Sequence, residues 1–267
     1  LTTKYTMKLS EKIKKQATSL GFDLAGITSG DPLTAEQTAI YRNWLNTGCA
    51  AELQYMHNNF DKRIDPGLLL ANAKSIICVV LNYKPVDSFP PNDGQNYARI
   101  ANYAIYPDYH IFIKERLFKL ADFITETIAP EKANFKICVD SVPTAERPIA
   151  QRAGLGFIAK NHMLTKHNLG QQLLLGQIIT DLELEIDQPM VDICPGCNKC
   201  SRVCPTGALT SDGRFDARKC ISYHTIENKG PIPQEIKNNI TNQLFGCDLC
   251  VNACPYNFFS PLRSNQD

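Results

Sequence analysis

Apolar residues recur along this chain with two different periods, and the switches between those periods mark its elements. Leu9, Ile13, Ala17 and Leu20 stand at helical spacing, so an amphipathic helix is expected over residues 8–20, with Gly21 as its stop. Residues 21–28 suit a strand. A second helix is expected over 34–47, opened by Thr34 and stopped by Gly48. Residues 75–82 are β-branched and apolar without alternation, the pattern of a buried strand. Residues 85–96, rich in Pro, Asn, Asp and Gly, read as a loop. The longest helical pattern covers 109–128, with Pro130 just beyond it. A short apolar strand over 135–139 leads to Asp140, and a helical stretch follows over 145–153. After the Gly154-Leu155-Gly156 turn come a strand-like region and the apolar run 173–180. Strands alternating with helices to residue 187 point to an α/β domain, and the turn-rich remainder to a second, smaller one. The expected class is α+β, with domains over 1–187 and 188–267.

Charge narrows the partners. With 28 Lys+Arg against 27 Asp+Glu, the net charge is +1, which argues against a broad basic surface for nucleic acid; such a partner must be held locally. No run of about 18 apolar residues occurs, so no membrane span is expected. The lysine-rich first 16 residues lack the apolar stretch of a secretory signal, so the expected location is cytoplasmic.

Eleven cysteines change the picture more, because eight of them lie in the last 74 residues. An odd total without a secretory signal disfavours a disulfide scaffold and favours metal ligation. The run Cys194-x2-Cys197-x2-Cys200-x3-Cys204-Pro205 has the spacing of bacterial two-cluster ferredoxins, in which the fourth cysteine reaches the other cluster. The second run, Cys247-x2-Cys250-x3-Cys254-Pro255, lacks one cysteine, and Cys220 supplies it. The count then closes on two 4Fe-4S clusters, one held by Cys194, Cys197, Cys200 and Cys254, the other by Cys204, Cys220, Cys247 and Cys250. A pair of four-cysteine zinc sites is the competing arrangement, less suited to the third cysteine at x2 and to the two Cys-Pro endings. Cys49, Cys78 and Cys138 stand apart and read as small buried hydrophobes.

Two clusters imply electron transfer, and about 190 further residues imply an acceptor held by the same chain. No G-x-G-x-x-G follows the first strand, which disfavours a nicotinamide site. The ordered stretches Lys62-Arg63-x-Asp65-Pro66, Asp108-Tyr109-His110, Val139-Asp140-Ser141-x-Pro143 with Glu146-Arg147, Ala153-Gly154-Leu155-Gly156 with Lys160-Asn161, and Asp216-Ala217-Arg218-x-Cys220-Ile221-Ser222-Tyr223 resemble the epoxyqueuosine reductase family over residues 8–260. The resemblance implies a cobalamin-binding α/β domain, like that of reductive dehalogenases, with a two-cluster ferredoxin-like domain packed on it. It also implies reduction of epoxyqueuosine to queuosine in tRNA, electrons passing through the clusters to cobalamin, an external flavodoxin or ferredoxin type donor, and a monomer.

By the same resemblance Asp140 is the proton donor, and Arg63, Tyr103, Asp140, Leu164, Leu175, Ser222 and Asp248 line the corrinoid. A carboxyl at the end of an apolar strand can hold a proton if burial raises its pKa. The bland alternative makes Asp140 or Ser141 an N-cap of the helix containing Glu146; for Arg63 it is a surface ion pair, and for Leu164 and Leu175 plain core packing. The five histidines read as hydrogen-bonding or surface residues. An electron-transfer partner for another cobalamin enzyme, or a corrinoid reductase acting on an organohalide, are the competing functions.

The chain departs from the family pattern in three places. Tyr103-Ala104-Ile105-Tyr106-Pro107-Asp108-Tyr109-His110 lacks the usual Arg and Gly, and Gln177 replaces a glutamate. Most members continue into a helical-repeat tail, whereas this sequence stops at Asp267, so tRNA contacts are expected from Arg214, Arg218, Lys219 and Lys229.

Overall fold

The computed structural model describes residues 7–86, 97–190, 194 and 196–263. Most of the loop expected over 85–96 lies outside them. The N-terminal part runs α1 (Leu9–Ser19), β1 (Leu24–Ser29), α2 (Ala35–Asn46), α3 (Gln54–Asn58), α4 (Phe60–Ile64) and β2 (Ser75–Asn82). It continues through β3 (Arg99–Ile100), α5 (Tyr109–Ile128), β4 (Phe135–Cys138), α6 (Glu146–Arg152), β5 (Phe157–Ile158), β6 (Leu164–Thr165) and β7 (Leu173–Thr180). The cysteine-rich part holds α7 (Lys199–Arg202), α8 (Ile221–Ile226), α9 (Gln234–Asn239), β8 (Gln243–Phe245) and α10 (Leu249–Asn252). Among the described residues no helix is long and apolar enough to cross a membrane.

The central sheet has the order β1-β2-β7-β4, and every pairing is antiparallel. The alternation of strands with helices seen in the sequence is therefore not that of βαβ crossovers. β2 is buried at all eight positions because strands flank it and helices cover both its faces, which is why its sequence does not alternate. Ile77, Val79 and Leu81 point into one core with Ile13 and Ala17 of α1 and with Ile113, Leu117, Leu120 and Ile124 of α5. Ile76, Cys78 and Val80 point the other way, against Ile149, Ala150 and Ala153 around α6. α5 approaches β7 closely at Gly176, where a Cβ would stand 2.7 Å from Ile113 Cγ2, so a side chain there would displace the helix. α2 opens on a capping box in which Thr34 and Gln37 satisfy each other's backbone N–H groups.

The cysteine-rich part is sewn to the N-terminal part by main-chain and side-chain bonds. β8 pairs in parallel with β3, Ala217 N–H donates to Cys49 O at 2.8 Å, and Trp44 Nε1 donates to Phe215 O at 3.0 Å. A buried amide network continues the seam. Asn161 Nδ2 donates to Gln171 Oε1 and to Cys250 O, and Gln171 N–H donates to Asn257 Oδ1 at 2.6 Å.

Candidate functional site

Short helices position the eight ferredoxin-type cysteines. Cys200 lies in α7, Cys250 in α10, and Cys220 at the N-cap of α8. Cys254 is the N-cap of a 3-10 turn (Pro255–Phe259) whose first residue is the proline that follows it, a position where the missing N–H costs nothing. Cys194, Cys197, Cys200 and Cys254 line one cavity of about 350 Å³, together with Asn161, His167, Lys199 and Tyr256. Among the described residues no three His, Cys, Asp or Glu side chains converge as ligands of a single ion. Four thiols around a cavity of that size suit a cubane, and do not suit the competing tetrahedral zinc ion.

The other four cysteines are gathered nearby. Burial raises the Cys250 thiol, and Cys247, Cys220 and Cys204 add to the shift; Cys247, pushed up to about 11 by burial, likewise senses Cys220 and Cys204. Cys204 differs. Burial pushes its thiol up, but the Thr206 hydroxyl and the backbone N–H groups of Leu209, Thr206 and Ala208 outweigh it, and the net shift is downward. Such donors favour a thiolate, the form that ligates iron.

A second constellation forms at the C-terminal end of β4. Asp140 carries φ +47°, a left-handed conformation that non-glycine residues rarely adopt. Its N–H donates to Glu146 Oε1 at 2.9 Å, and its Oδ2 lies 3.1 Å from His110 Nε2. His110 Nδ1 lies 2.8 Å from Asp108 Oδ1, and Asp108 caps α5 by accepting the His110 N–H. A carboxylate, an imidazole and a second carboxylate therefore stand in line, the arrangement in which one group orients the ring and the ring orients the next. Burial pulls the His110 pKa down, but the bonds to Asp140 and Asp108 outweigh that and raise it above its ordinary value. The Tyr109 ring stacks on His110 at 4.1 Å.

Two sequence expectations are corrected here. Asp140 is not a helix cap, because α6 begins at Glu146 with Ala145 as its N-cap. Nor is Asp140 the buried carboxyl: its side chain is 60% exposed. Burial acts instead on Glu146, which it pushes up to about 7, with the bond from Asp140 N–H opposing the shift. His110 and Glu146 were both within the quoted motifs, but no spacing rule tells that an N1 glutamate turns back six residues or that a helix cap faces a strand end.

The remaining candidates divide. Burial raises the Tyr103 hydroxyl, and the charges of Asp248, Asp140 and Glu227 add to the shift. Asp248 Oδ2 accepts the Asn102 N–H at 2.6 Å, and burial raises its carboxyl. Arg63 lies over the Tyr55 ring at 5.7 Å and donates to Tyr55 O; it is not in a surface ion pair with Asp61 or Asp65. Leu164 is 2% exposed within the α6-side core, and Leu175 packs on the same core. Ser222 sits half-buried in α8, two residues after Cys220. Two buried donors beside these residues, Arg63 Nε and Asn102 Nδ2, lack a partner among the described residues. Orphaned buried donors are rare, and these suit a large ligand rich in amide acceptors, as a corrinoid is.

Comparison with known proteins identifies the family. Residues 193–257 match the family described as 4Fe-4S double cluster binding domain, and residues 63–141 match that described as Epoxyqueuosine reductase QueG, DUF1730. An epoxyqueuosine reductase from Leadbetterella byssophila is 40% identical over 258 residues, covering 97% of this chain and 83% of that protein. The crystal structure of an epoxyqueuosine reductase with a tRNA-Tyr epoxyqueuosine-modified stem loop matches with a TM-score of 0.87 at 33% identity, over 96% of this chain and 67% of that one. A catabolic reductive dehalogenase in complex with 3-bromo-4-hydroxybenzoic acid shares the fold, with a TM-score of 0.56 at 17% identity over 92% of this chain and 31% of that one. A double 4Fe-4S module on a reductive-dehalogenase-like sheet, with these relatives across nearly the whole length, places the chain in the epoxyqueuosine reductase family.

Proposed function

We propose that this protein reduces epoxyqueuosine to queuosine in tRNA, with cobalamin as the site of reduction and Asp140 as proton donor. The observation that carries the reading is the Asp108–His110–Asp140 line at the end of β4, on a chain that also gathers eight cysteines as two groups. Cys194, Cys197, Cys200 and Cys254 hold one 4Fe-4S cluster, and Cys204, Cys220, Cys247 and Cys250 the other. Electrons enter from an external donor of flavodoxin or ferredoxin type; the protein acts as a monomer in the cytoplasm. Opening the epoxide to an alkene takes two electrons and two protons and releases one water. Bound cobalamin, reduced through the clusters, supplies the low-potential electron pair. This chain's residues do the rest. With cobalamin bound, Arg63 Nε and Asn102 Nδ2 would donate to its polar groups, and Leu175 and Ser222 would help to hold it. His110 holds the Asp140 carboxyl toward the substrate, and Asp140 delivers a proton to the departing oxygen. Its exposure suits a group that must be reloaded from solvent each turnover.

The test is a single-turnover assay on tRNA from a queuosine-deficient strain, with artificial reductant and anaerobically purified protein. The parent should form queuosine without an added protein. Asp140→Asn should keep iron and cobalamin and lose at least about a hundredfold in turnover, the usual scale of a positioned acid. Undiminished turnover in that variant removes Asp140 from the mechanism, and a requirement for a second protein would make the chain an electron carrier instead.

A further inference from the structure

We propose that Glu146 is a positioning residue whose side-chain oxygen clamps the Asp140 peptide N–H and so aims the Asp140 carboxyl at His110. The inference rests on the reading of Asp140 as proton donor. It begins from an oddity of the backbone. Asp140 holds φ +47° although it is not glycine, and the bond that closes its turn, Ser141 N–H to Val139 O at 2.5 Å, involves neither its own N–H nor its side chain. A left-handed residue between a buried strand end and an exposed loop needs something that over-determines it. The 2.9 Å bond from Asp140 N–H to Glu146 Oε1 is the contact that does so.

The clamp is anchored where it must be. Ile149 and Ala150 of α6 are each 1% exposed and sit in the core against Cys78 and Cys138, so the helix that carries Glu146 cannot drift. Gln177 of β7, in register with Cys78 on one side and Cys138 on the other, donates Nε2 to Glu146 O at 3.2 Å and fixes the helix start to the sheet. An acidic residue in the first turn of a helix ordinarily serves the dipole and the helix's own N–H groups. Here Oε1 reaches back to a peptide outside the helix. The result is a path from the sheet through Gln177, Glu146 and the Asp140 peptide to the carboxyl that meets His110 at 3.1 Å. Glu146 is half-buried, and its burial raises its pKa to about 7.

The decisive variants have similar size and differ in whether they can accept a hydrogen bond. Glu146→Gln keeps an acceptor oxygen and Glu146→Met removes it; Glu146→Ala serves if the Met variant fails to fold. The first readout is amide hydrogen exchange at Asp140 in the full chain, which needs no turnover. Exchange should speed up at least about tenfold in the Met variant and stay near the parent rate in the Gln variant, with iron content matched and the sheet amides of Ile77 and Ile178 protected in all three. The second is single-turnover rate: the Met variant should fall at least about tenfold in rate at saturating tRNA with binding unchanged, and the Gln variant should recover most of it. Added to Asp140→Asn, the Met change should cost nothing further. Equal exchange in the Met variant and parent overturns the clamp, as does a Gln variant that falls as far as Met, or a multiplicative loss in the double variant. Failure of the underlying reading looks different: turnover absent in the parent or intact in Asp140→Asn, while exchange at Asp140 still responds to Glu146.

Discussion

The two ends of the electron path are held together by different means. Around the sheet, apolar side chains do the work: the buried residues of both core clusters lie between Ile13 and Leu184 and interlock through α1, α5 and α6. The cysteine-rich region places Ala208, Leu209, Ala217, Ile221, Tyr223, Ile236 and Val251 out of water and is otherwise built of helices four to six residues long. Helices that short do not persist on their own. Metal ligation must supply there what packing supplies in the sheet, because binding that exists only in the folded form is itself folding free energy. The comparison teaches that the redox centre and the stability of its domain are one property, whereas the Asp140 site borrows its rigidity from a core indifferent to metal.

The largest effect should come from breaking that dependence. Stripping iron with a chelator should abolish turnover and unfold the region from Cys194 to Arg263, while amides of Ile77 and Ile178 in the sheet stay protected in hydrogen exchange. Cys250→Ala should act more narrowly and cut iron from about eight to about four atoms per chain, by the ligand count of four per cubane. Sheet amides that lose protection together with the cysteine-rich region would show one cooperative unit and end the contrast.

The sheet side is tested at His110. His110→Gln should leave iron content and the sheet intact and slow turnover by about a hundredfold, within the range of a positioned proton-transfer partner. Because the His110 pKa is raised, the stabilisation from its bonds to Asp140 and Asp108 is fully present below 6.5 and fades as pH climbs through the folded value. In the Gln variant that part of the pH dependence of unfolding should vanish. An unchanged rate would leave His110 as a cap contact only.

Legibility followed the same division. The cysteine region could be read from spacing because its ligands fall within 61 residues and the geometry of a cubane dictates the gaps. The strands at 75–82 and 173–180 and the helix at 109–128 were equally plain, since a fully covered strand and a long amphipathic helix each leave an unmistakable period. What could not be read was the company Asp140 keeps. His110 comes from α5, Glu146 from α6 and Gln177 from β7, and nothing in a linear pattern says that these meet at the end of β4. The direction of the sheet was hidden for the same reason: periodicity identifies a strand and not its partner.

A smaller effect isolates Glu146. Its carboxyl is raised from an ordinary 4.5 to about 7 by burial, so the folded protein binds a proton there that the unfolded chain has released. Between those values stability must fall as pH rises, and above about 7 the buried charge is carried in full. Glu146→Gln removes the charge. Its unfolding free energy should match the parent near pH 4.5 and exceed it at pH 8 by at most about 3 kcal/mol, the free energy of moving the ionisation from 4.5 to about 7. Identical pH profiles would place the glutamate in water. The contrast with chelation is sharp, since this change should tune the sheet side without touching iron.

The smallest effect concerns tRNA. Arg214 is paired with Asp212 at 2.9 Å and Arg218 with Asp216 at 2.8 Å, so two of the four basic residues expected to meet tRNA already have acidic partners. Lys219 and Lys229 remain exposed. Two phosphate contacts imply that this surface adds a log-log salt slope of roughly −1.4 to −1.8, at about 0.7 to 0.9 per phosphate. Lys229→Glu should then weaken binding of an epoxyqueuosine-modified stem loop about tenfold (~1.4 kcal/mol) at low salt and flatten the slope by about 0.8. Asp212→Asn, which frees Arg214, should move affinity and slope the opposite way. Freeing an arginine that faces the phosphates must add a contact, whereas freeing one that faces away changes neither quantity. If both variants bind like the parent across the salt series, the cysteine-rich region carries electrons alone, and the stem loop is gripped from the sheet side.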